Sequence, residues 1–519
     1  MTSRAVGSKA GAEAVAHPRR WWALVVLSAS LLALTVQDTI VTVALPTLAR
    51  ELSASATQLQ WIVEAYILAL AGLVIPFGVL SDRYGRRLSF VVGLVVFGAA
   101  SLAGAIAPTA GWLIASRVAM GVGAALVMPS TLSIIRAIFP AEERKTAIAV
   151  WGGIAALGVV VGPLAGGWLL ENFSWGSVFL VNVPITVAAV FGAIFLVPES
   201  SHPSSVPFDL AGAGLAIAAM VAVTFGITEA PSLGWSDPLT LGVLAVGALL
   251  IGAFVLRERR TPHPMIDLRL FANRRFSAAI LSVALAYSAL FGIFFIVTQY
   301  LQFVLGYGPL TAGLGLAPLV VTIVPASFLG ARLASRLGDR ATISGGLLVA
   351  AAGLAVLSFA TPSTGYALLA AAFVVIGLGI GAVGTVATDS VMDSAPEEKA
   401  GGAAAINEMA MQLGGALGIA ALGSALSVGY ARTFGGANRA AAESIGAAAR
   451  AAADLGGEAG ERLLELASSA FVGAMATTSL VATGMVLVGA AVALVFLPKS
   501  KAPSEERPGQ AATTERGEK

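Results

Sequence analysis

The chain has 519 residues, 57% hydrophobic and 12% charged, with a formal net charge of +2. That much apolar surface excludes a soluble globular protein, and the short alternating segments of a β-barrel are absent, so the composition reads as an all-α, polytopic membrane protein. There is no cysteine, and the histidines (His17, His202, His263) lie in the tail or in loops at no metal-ligand spacing, which excludes disulfides and thiolate metal sites.

In chain order, residues 1–20 read as a disordered tail. Arg19 and Arg20 precede an apolar run too long for a signal peptide, which is span 1 at 22–44. Spans follow at 60–80, 88–107, 112–135, 146–170, 176–197, 211–229, 239–256, 277–301, 311–333, 342–360, 366–390, 402–427 and 471–497. Fourteen spans put both tails on one side. Of the 31 Lys and Arg residues, only Arg50, Arg432, Arg439, Arg450 and Arg462 fall in loops on the other side, and Arg117 lies within a span. The positive-inside rule therefore places both termini in the cytoplasm.

An internal repeat divides the chain. Pro140, Glu142, Gly158 and Gly162 recur 256 residues later as Pro396, Glu398, Gly414 and Gly418, and Arg83, Gly85 and Arg87 recur 253 later as Arg336, Gly338 and Arg340. Fixed offsets imply two homologous six-helix bundles, at 21–200 and 277–499, with two inserted helices at 201–260 between them. A basic linker, 261–276, reads as a cytoplasmic surface element near anionic lipid, and 500–519 as a second disordered tail. The external segment 428–470 is Ala-rich with charges throughout; two short amphipathic helices over the outer mouth and a disordered loop are both open readings.

The loop joining spans 2 and 3 reads Gly78-Val-Leu-Ser-Asp82-Arg83-Tyr-Gly85-Arg86-Arg87. It resembles the signature loop between helices 2 and 3 of the major facilitator superfamily. The run Arg117-Val-Ala-Met-Gly-Val-Gly resembles the helix-4 motif of the superfamily's proton-driven exporters, and Gly158, Gly162, Pro163, Gly166 and Gly167 resemble their helix-5 motif. Gln37 to Pro46 with Leu59 to Tyr66 resembles the fourteen-helix drug:proton antiporter branch of EmrB/QacA type, as do Asn407, Glu408 and Gln412. That branch carries an aspartate where this chain has Gln37, and Asp38 follows it.

The resemblance implies two bundles of six helices plus two inserted helices, a bacterial plasma-membrane location, and export of amphipathic, often cationic drugs or natural products by a monomer that exchanges them for protons. It implies no enzymatic activity, no cofactor beyond the coupling protons and no nucleic-acid partner; membrane lipid is the surrounding partner. A proton-coupled nutrient symporter, or a non-transporting lipid-handling or sensory protein, are the rival functions.

Charges inside spans mark the candidate coupling residues. Asp38 and Arg117 each lie about 9 Å below the outer end of their spans, at about 1.5 Å per residue, and Glu64 enters span 2 at a similar level. Movement of Arg117 relative to either acid would load or release a proton; a static ion pair is the structural alternative. Glu408 reads as a further proton site or as a hydrogen-bond hub. Asp82 and its basic neighbours would lock the cytoplasmic side on the start of span 13. Gln37, Gln60, Trp61, Tyr66, Tyr300, Asn407 and Gln412 are the candidate cargo contacts, and Asp389 and Asp393 read as solvated.

Overall fold

A computed structural model describes residues 18–199, 209–262, 264, 266–362, 364–395, 400–434 and 441–498. Residues 1–17 and 500–519 of the expected tails lie outside these, as does the side chain of Asp82, on which the expected lock against the start of span 13 depends.

The N-terminal half comprises α1 (Arg20–Glu51), α2 (Ala56–Tyr84), α3 (Arg86–Ala105), α4 (Ala110–Ile138), α5 (Ala141–Asn172), and the consecutive α6 (Ser177–Leu180) and α7 (Asn182–Leu196). The inserted pair is α8 (Leu210–Leu233) and α9 (Pro238–Arg260). The C-terminal half comprises α10 (Arg274–Gln299), α11 (Pro309–Gly315), α12 (Ala317–Leu337), α13 (Asp339–Leu357), α14 (Tyr366–Asp393), α15 (Ala400–Phe434), α16 (Ile445–Leu455) and α17 (Gly457–Phe496). Among the described residues, thirteen helical stretches are long and apolar enough to cross a membrane. The 32-residue α5, whose apolar run was the fifth expected span, stands beside them.

Polar residues end these helices by satisfying backbone groups that lipid cannot. Ser55 and Gln58 form a reciprocal capping box on α2. Asp209 caps α8, Asp237 caps α9 and Asn273 caps α10. Gly85 (φ +119°) and Gly338 (φ +83°) break the chain at the two equivalent loops, α2/α3 and α12/α13, in backbone conformations that a Cβ disfavours.

The halves share one packing pattern. In the first, α1 packs on α5 and α7, α2 on α4, and α3 on α4 and α7; in the second, α10 packs on α15 and α17, α12 on α14, and α13 on α14 and α17. The repeated glycines sit at equivalent contacts. Gly158 and Gly162 of α5 meet Thr35 and Thr39 of α1, while Gly414 and Gly418 of α15 meet Ala284 and Ser288 of α10. Small residues at these crossings let the backbones approach closely.

Several helices outrun their expected spans. The last begins at Gly457 rather than 471, and α15 continues to Phe434 rather than 427. About 20 residues cross the hydrocarbon; the Ala-, Glu- and Leu-rich flank of α17 is a strong helix former that carries that helix on into water, whereas α15 is held on by burial of Tyr430 and Phe434. The external segment accordingly contains one separate amphipathic helix, α16, and the opening turns of α17 in place of a second. α16 buries Ile445, Ala448 and Ala452, its Gly446 sits against Ala49 and Phe303, and Arg450 donates to the Ala49 carbonyl. The basic linker is likewise docked: it forms a short 3-10 turn, Leu268–Ala272, with Ile266 and Leu270 buried.

Candidate functional site

A cavity of about 630 Å³ lies between the halves, walled by α1, α4, α5, α10, α12, α14 and α15. Its size suits a drug-sized molecule. The wall is largely apolar and aromatic, with Trp151, Tyr287, Phe291 and Phe294, and three charged side chains line it: Asp38, Glu408 and Asp389. All three are acids, and among the described residues no Lys, Arg or His lines it.

Access is one-sided. Among the described residues, the hydrogen bonds joining the two halves lie towards the face away from the termini. Gln302 Nε2 donates to Val43 O at 2.8 Å, the Leu310 amide to Glu171 Oε1 at 3.3 Å, and Gln60 Nε2 to Ile419 O at 3.4 Å. Gly167 of α5 also abuts the backbone of Leu310 there, and Gly313 abuts that of Pro163. At the terminal face the cavity wall reaches the exposed Asp389. The helix-5 glycines therefore divide their work: Gly158, Gly162 and Gly166 fit α5 against α1, whereas Gly167 closes it against α11 of the other half.

The stripe Thr35, Asp38, Thr39, Thr42 on α1 faces the cavity, as spacings of three and four residues dictate. Asp38 Oδ1 is buried without a hydrogen-bond partner. Gln37, about 100° around the helix, is fully buried among Asn182 and Arg117. Asn182 Nδ2 lies 2.6 Å from Gln37 Oε1. Turning the Gln37 amide, whose O and N are interchangeable assignments, lets its oxygen accept from Arg117 Nη1 at 3.2 Å and its nitrogen donate to Val178 O at 3.2 Å.

Arg117 is completely buried. Its Nε donates to Ile62 O at 2.8 Å and its Cζ stacks 4.3 Å from the centre of the Tyr66 ring, a cation–π contact strengthened by burial. Asp38 feels the positive charge of Arg117 and faces the Tyr66 hydroxyl. The structure thus brings Asp38, Arg117, Tyr66 and Gln37 together, with Gln37 in direct reach of the guanidinium.

Glu64 does not join them. It is fully buried on the opposite side of α2, where Thr228 of the inserted α8 donates to its Oε2 at 3.2 Å. The expected single layer of two acids and a base is therefore corrected: the direction of Glu64 around the axis of α2 takes it to the inserted pair. Trp61 follows it, with its ring 6.1 Å from that of Phe225 on α8. Ser424 of α15 donates to Ile227 O at 2.7 Å, so α8 is bonded to both halves.

On the C-terminal wall, Gln412 Nε2 donates to Glu408 at 3.0 Å and Asn407 Nδ2 to Thr388 Oγ1 at 3.2 Å; all three expected polar groups of this motif line the cavity. The other five expected cargo contacts lie off it, Gln37 among them, buried against Asn182 and Arg117. Gln60 bonds the halves together, Trp61 packs on the insert, and Tyr300 is buried with its hydroxyl donating to Thr361 O at 3.1 Å. Tyr66 is buried behind Asp38, holding Arg117. Tyr287, Trp151 and Asp389 were missed as wall residues; for Asp38 the threonine stripe on α1 was the available signal.

In the signature loop, Gly78 packs against Pro129 and Ser81 Oγ lies 2.9 Å from Ser130 Oγ, joining α2 to α4. Arg86 Nη1 donates to Ser133 O at 3.4 Å, Arg87 pairs with Glu199 at 3.6 Å, and Arg83 stacks on Tyr84.

The Major Facilitator Superfamily model matches residues 27–419. The chain is 40% identical to the puromycin resistance protein pur8 of Streptomyces alboniger, over 78% of this chain and 81% of that protein. It is 38% identical to the multidrug efflux pump LfrA of Mycolicibacterium smegmatis, over 91% of this chain and 95% of that protein. Among solved structures, a bacterial homolog of the human lysosomal transporter Spinster, in an inward-facing and unoccupied conformation, superposes with a TM-score of 0.67 at 19% identity, covering 96% of this chain and 100% of the other.

Proposed function

The chain belongs to the Major Facilitator Superfamily, and from that premise we propose that it is a proton-coupled exporter of amphipathic, often cationic compounds. The relatives named for puromycin resistance and multidrug efflux support export of drugs or antibiotics. The cavity supports the charge of the cargo: among the described residues three acids and no base line it, and in a low-dielectric wall such charges attract a cation strongly.

The same carboxylates explain antiport. A cation in the cavity is held best when Asp38 and Glu408 are ionised, and a proton on either removes that attraction. Proton and cargo therefore exclude one another, and by linkage each weakens the other's binding equally. Arg117, held by Gln37, Tyr66 and the Ile62 carbonyl, is a fixed positive charge that sets how readily Asp38 takes a proton. The cavity open at the terminal face is the loading state, and its sealed opposite face is the release side. The terminal face is cytoplasmic in this reading, the membrane is the bacterial plasma membrane, and one chain suffices.

The one observation that carries the proposal is the cavity between the halves whose charged lining, among the described residues, is Asp38, Glu408 and Asp389. Everted vesicles containing the protein should take up a lipophilic cation when acidified inside and lose that uptake when the pH difference and voltage are collapsed. Uptake undiminished after collapse defeats proton coupling; uptake driven in the opposite direction points to a symporter.

A further inference from the structure

Three acids stand together where α13 and α14 meet the terminal face, and they are not treated alike. Arg275 Nη2 lies 2.7 Å from Asp339 and 3.4 Å from Asp393, and Ser390 Oγ donates to Asp339 at 2.6 Å. Asp389, one turn before Asp393, has no ion pair and no hydrogen bond among the described residues, is exposed, and lines the cavity. Two general effects oppose an acid at this place: the negative end of the helix dipole and a like charge four residues away. Arg275 answers Asp339 and Asp393, and no described residue pairs with Asp389, which is left facing the cavity entrance.

Asp389 is at the mouth, Glu408 lies two turns into α15, and Asp38 lies deeper still, its Oδ1 buried, unpartnered and facing the same cavity. The acids form a file from the terminal face inward, with no base along it among the described residues.

We infer that Asp389 is the capture residue for cationic cargo, a specificity determinant that draws a positively charged molecule into the mouth and passes it to Glu408 and Asp38. The inference rests on the exporter reading above and adds a residue whose role is in entry, separate from proton coupling. Capture by one exposed carboxylate is a long-range effect, so it acts on apparent affinity, depends on salt and ignores uncharged cargo.

The test is initial-rate transport in vesicles of two probes, tetraphenylphosphonium as a permanent cation and a neutral amphiphile, by wild type, Asp389→Asn and Asp389→Lys at matched membrane abundance. Asp389→Asn should raise the cation KM by about threefold to tenfold at low salt with the maximal rate kept, and Asp389→Lys should raise it further. The difference should close between about 0.01 M and about 1 M salt, as the screening length falls from about 30 Å to about 3 Å, and the neutral probe should behave alike in all three proteins. A wild type that moves tetraphenylphosphonium with a KM unaltered in both variants overturns the capture role and leaves the exporter reading intact. Equal impairment with the neutral probe also overturns it, as the mark of a structural role. A wild type that moves the neutral probe but not tetraphenylphosphonium overturns the capture role alone, and one that moves neither probe removes the exporter reading and the inference together.

Discussion

Gln37 and Asp38 are neighbours on α1 and serve different partners: the Gln37 amide is buried against Asn182 and Arg117, while the Asp38 carboxylate lines the cavity. One step along a helix turns a side chain about 100°. The chain therefore meets its buried arginine with a neutral group and keeps its acid where cargo passes.

Asp38→Asn and Glu408→Gln should each lower proton-driven export of a cation by about tenfold or more, with normal amounts of protein in the membrane. Transport by the variants should also lose its dependence on the pH difference. Unaltered, pH-dependent export in both would leave the carboxylates as wall structure only.

Glu64 should behave otherwise. Glu64→Gln keeps an oxygen to accept the Thr228 hydroxyl and should export within about twofold of wild type. Glu64→Ala strands that buried hydroxyl and should cost about 1–3 kcal/mol in thermal unfolding in detergent. A Glu64→Gln protein as deficient as Asp38→Asn would return Glu64 to the proton path.

The α1–α5 crossing should resist even a methyl group. A Cβ at Gly158 falls on the Thr35 side chain, 2.8 Å from its Cβ and closer still to its hydroxyl. Gly158→Ala should destabilise by about 1–3 kcal/mol. Adding Thr35→Ala removes the nearest atom and should recover part of the loss, which a double-mutant cycle on melting temperature measures. Simple additivity would show that the contact does not govern the crossing.

The inserted pair is clasped at the terminal face by Asp209, which accepts from Arg257 Nη2 at 2.6 Å and from the Gly212 amide at 2.8 Å. The Arg257 hydrogen bond foremost, then the backbone amides at the start of α8, hold its pKa below the usual carboxylate value. A lowered folded-state pKa contributes stability that is present above the unfolded value, about 3.9, and is lost as pH falls through the folded one. Asp209→Asn keeps the cap and loses the ion pair, so near neutral pH it should cost about 1 kcal/mol or less, Arg257 being partly exposed. The gap from wild type should close on acidification below about pH 4. A gap that persists there would assign the effect to packing.

The helices were legible because lipid forces every span to be long, apolar and internally hydrogen-bonded, and the repeat was legible because Gly158/Gly162 and Gly414/Gly418 occupy equivalent crossings. Helix ends were not, since the Ala- and Glu-rich flank of α17 stays helical in water, where hydropathy gives no signal, and α15 is prolonged by the packing of Tyr430 and Phe434. Asp38, Glu408, Asn407 and Gln412 were found because polar groups inside spans are few. Glu64 was misplaced because its partner, Thr228, is 164 residues away on a helix that the twelve-helix repeat does not contain. Asp389 was passed over because an acid near a helix end looks solvated until the cavity is seen to reach it.

Helix α8 is fastened to α2 through Glu64 and to α15 through Ser424, both near its turn farthest from the termini. If the two halves swing apart there to discharge cargo, at least one fastening has to let go, and the inserted pair then travels as a passenger of whichever half keeps its grip. The stronger grip thus decides which half carries the extra mass, and weakening Thr228 or Ser424 separately would change the ease of opening without touching a single residue of the cavity.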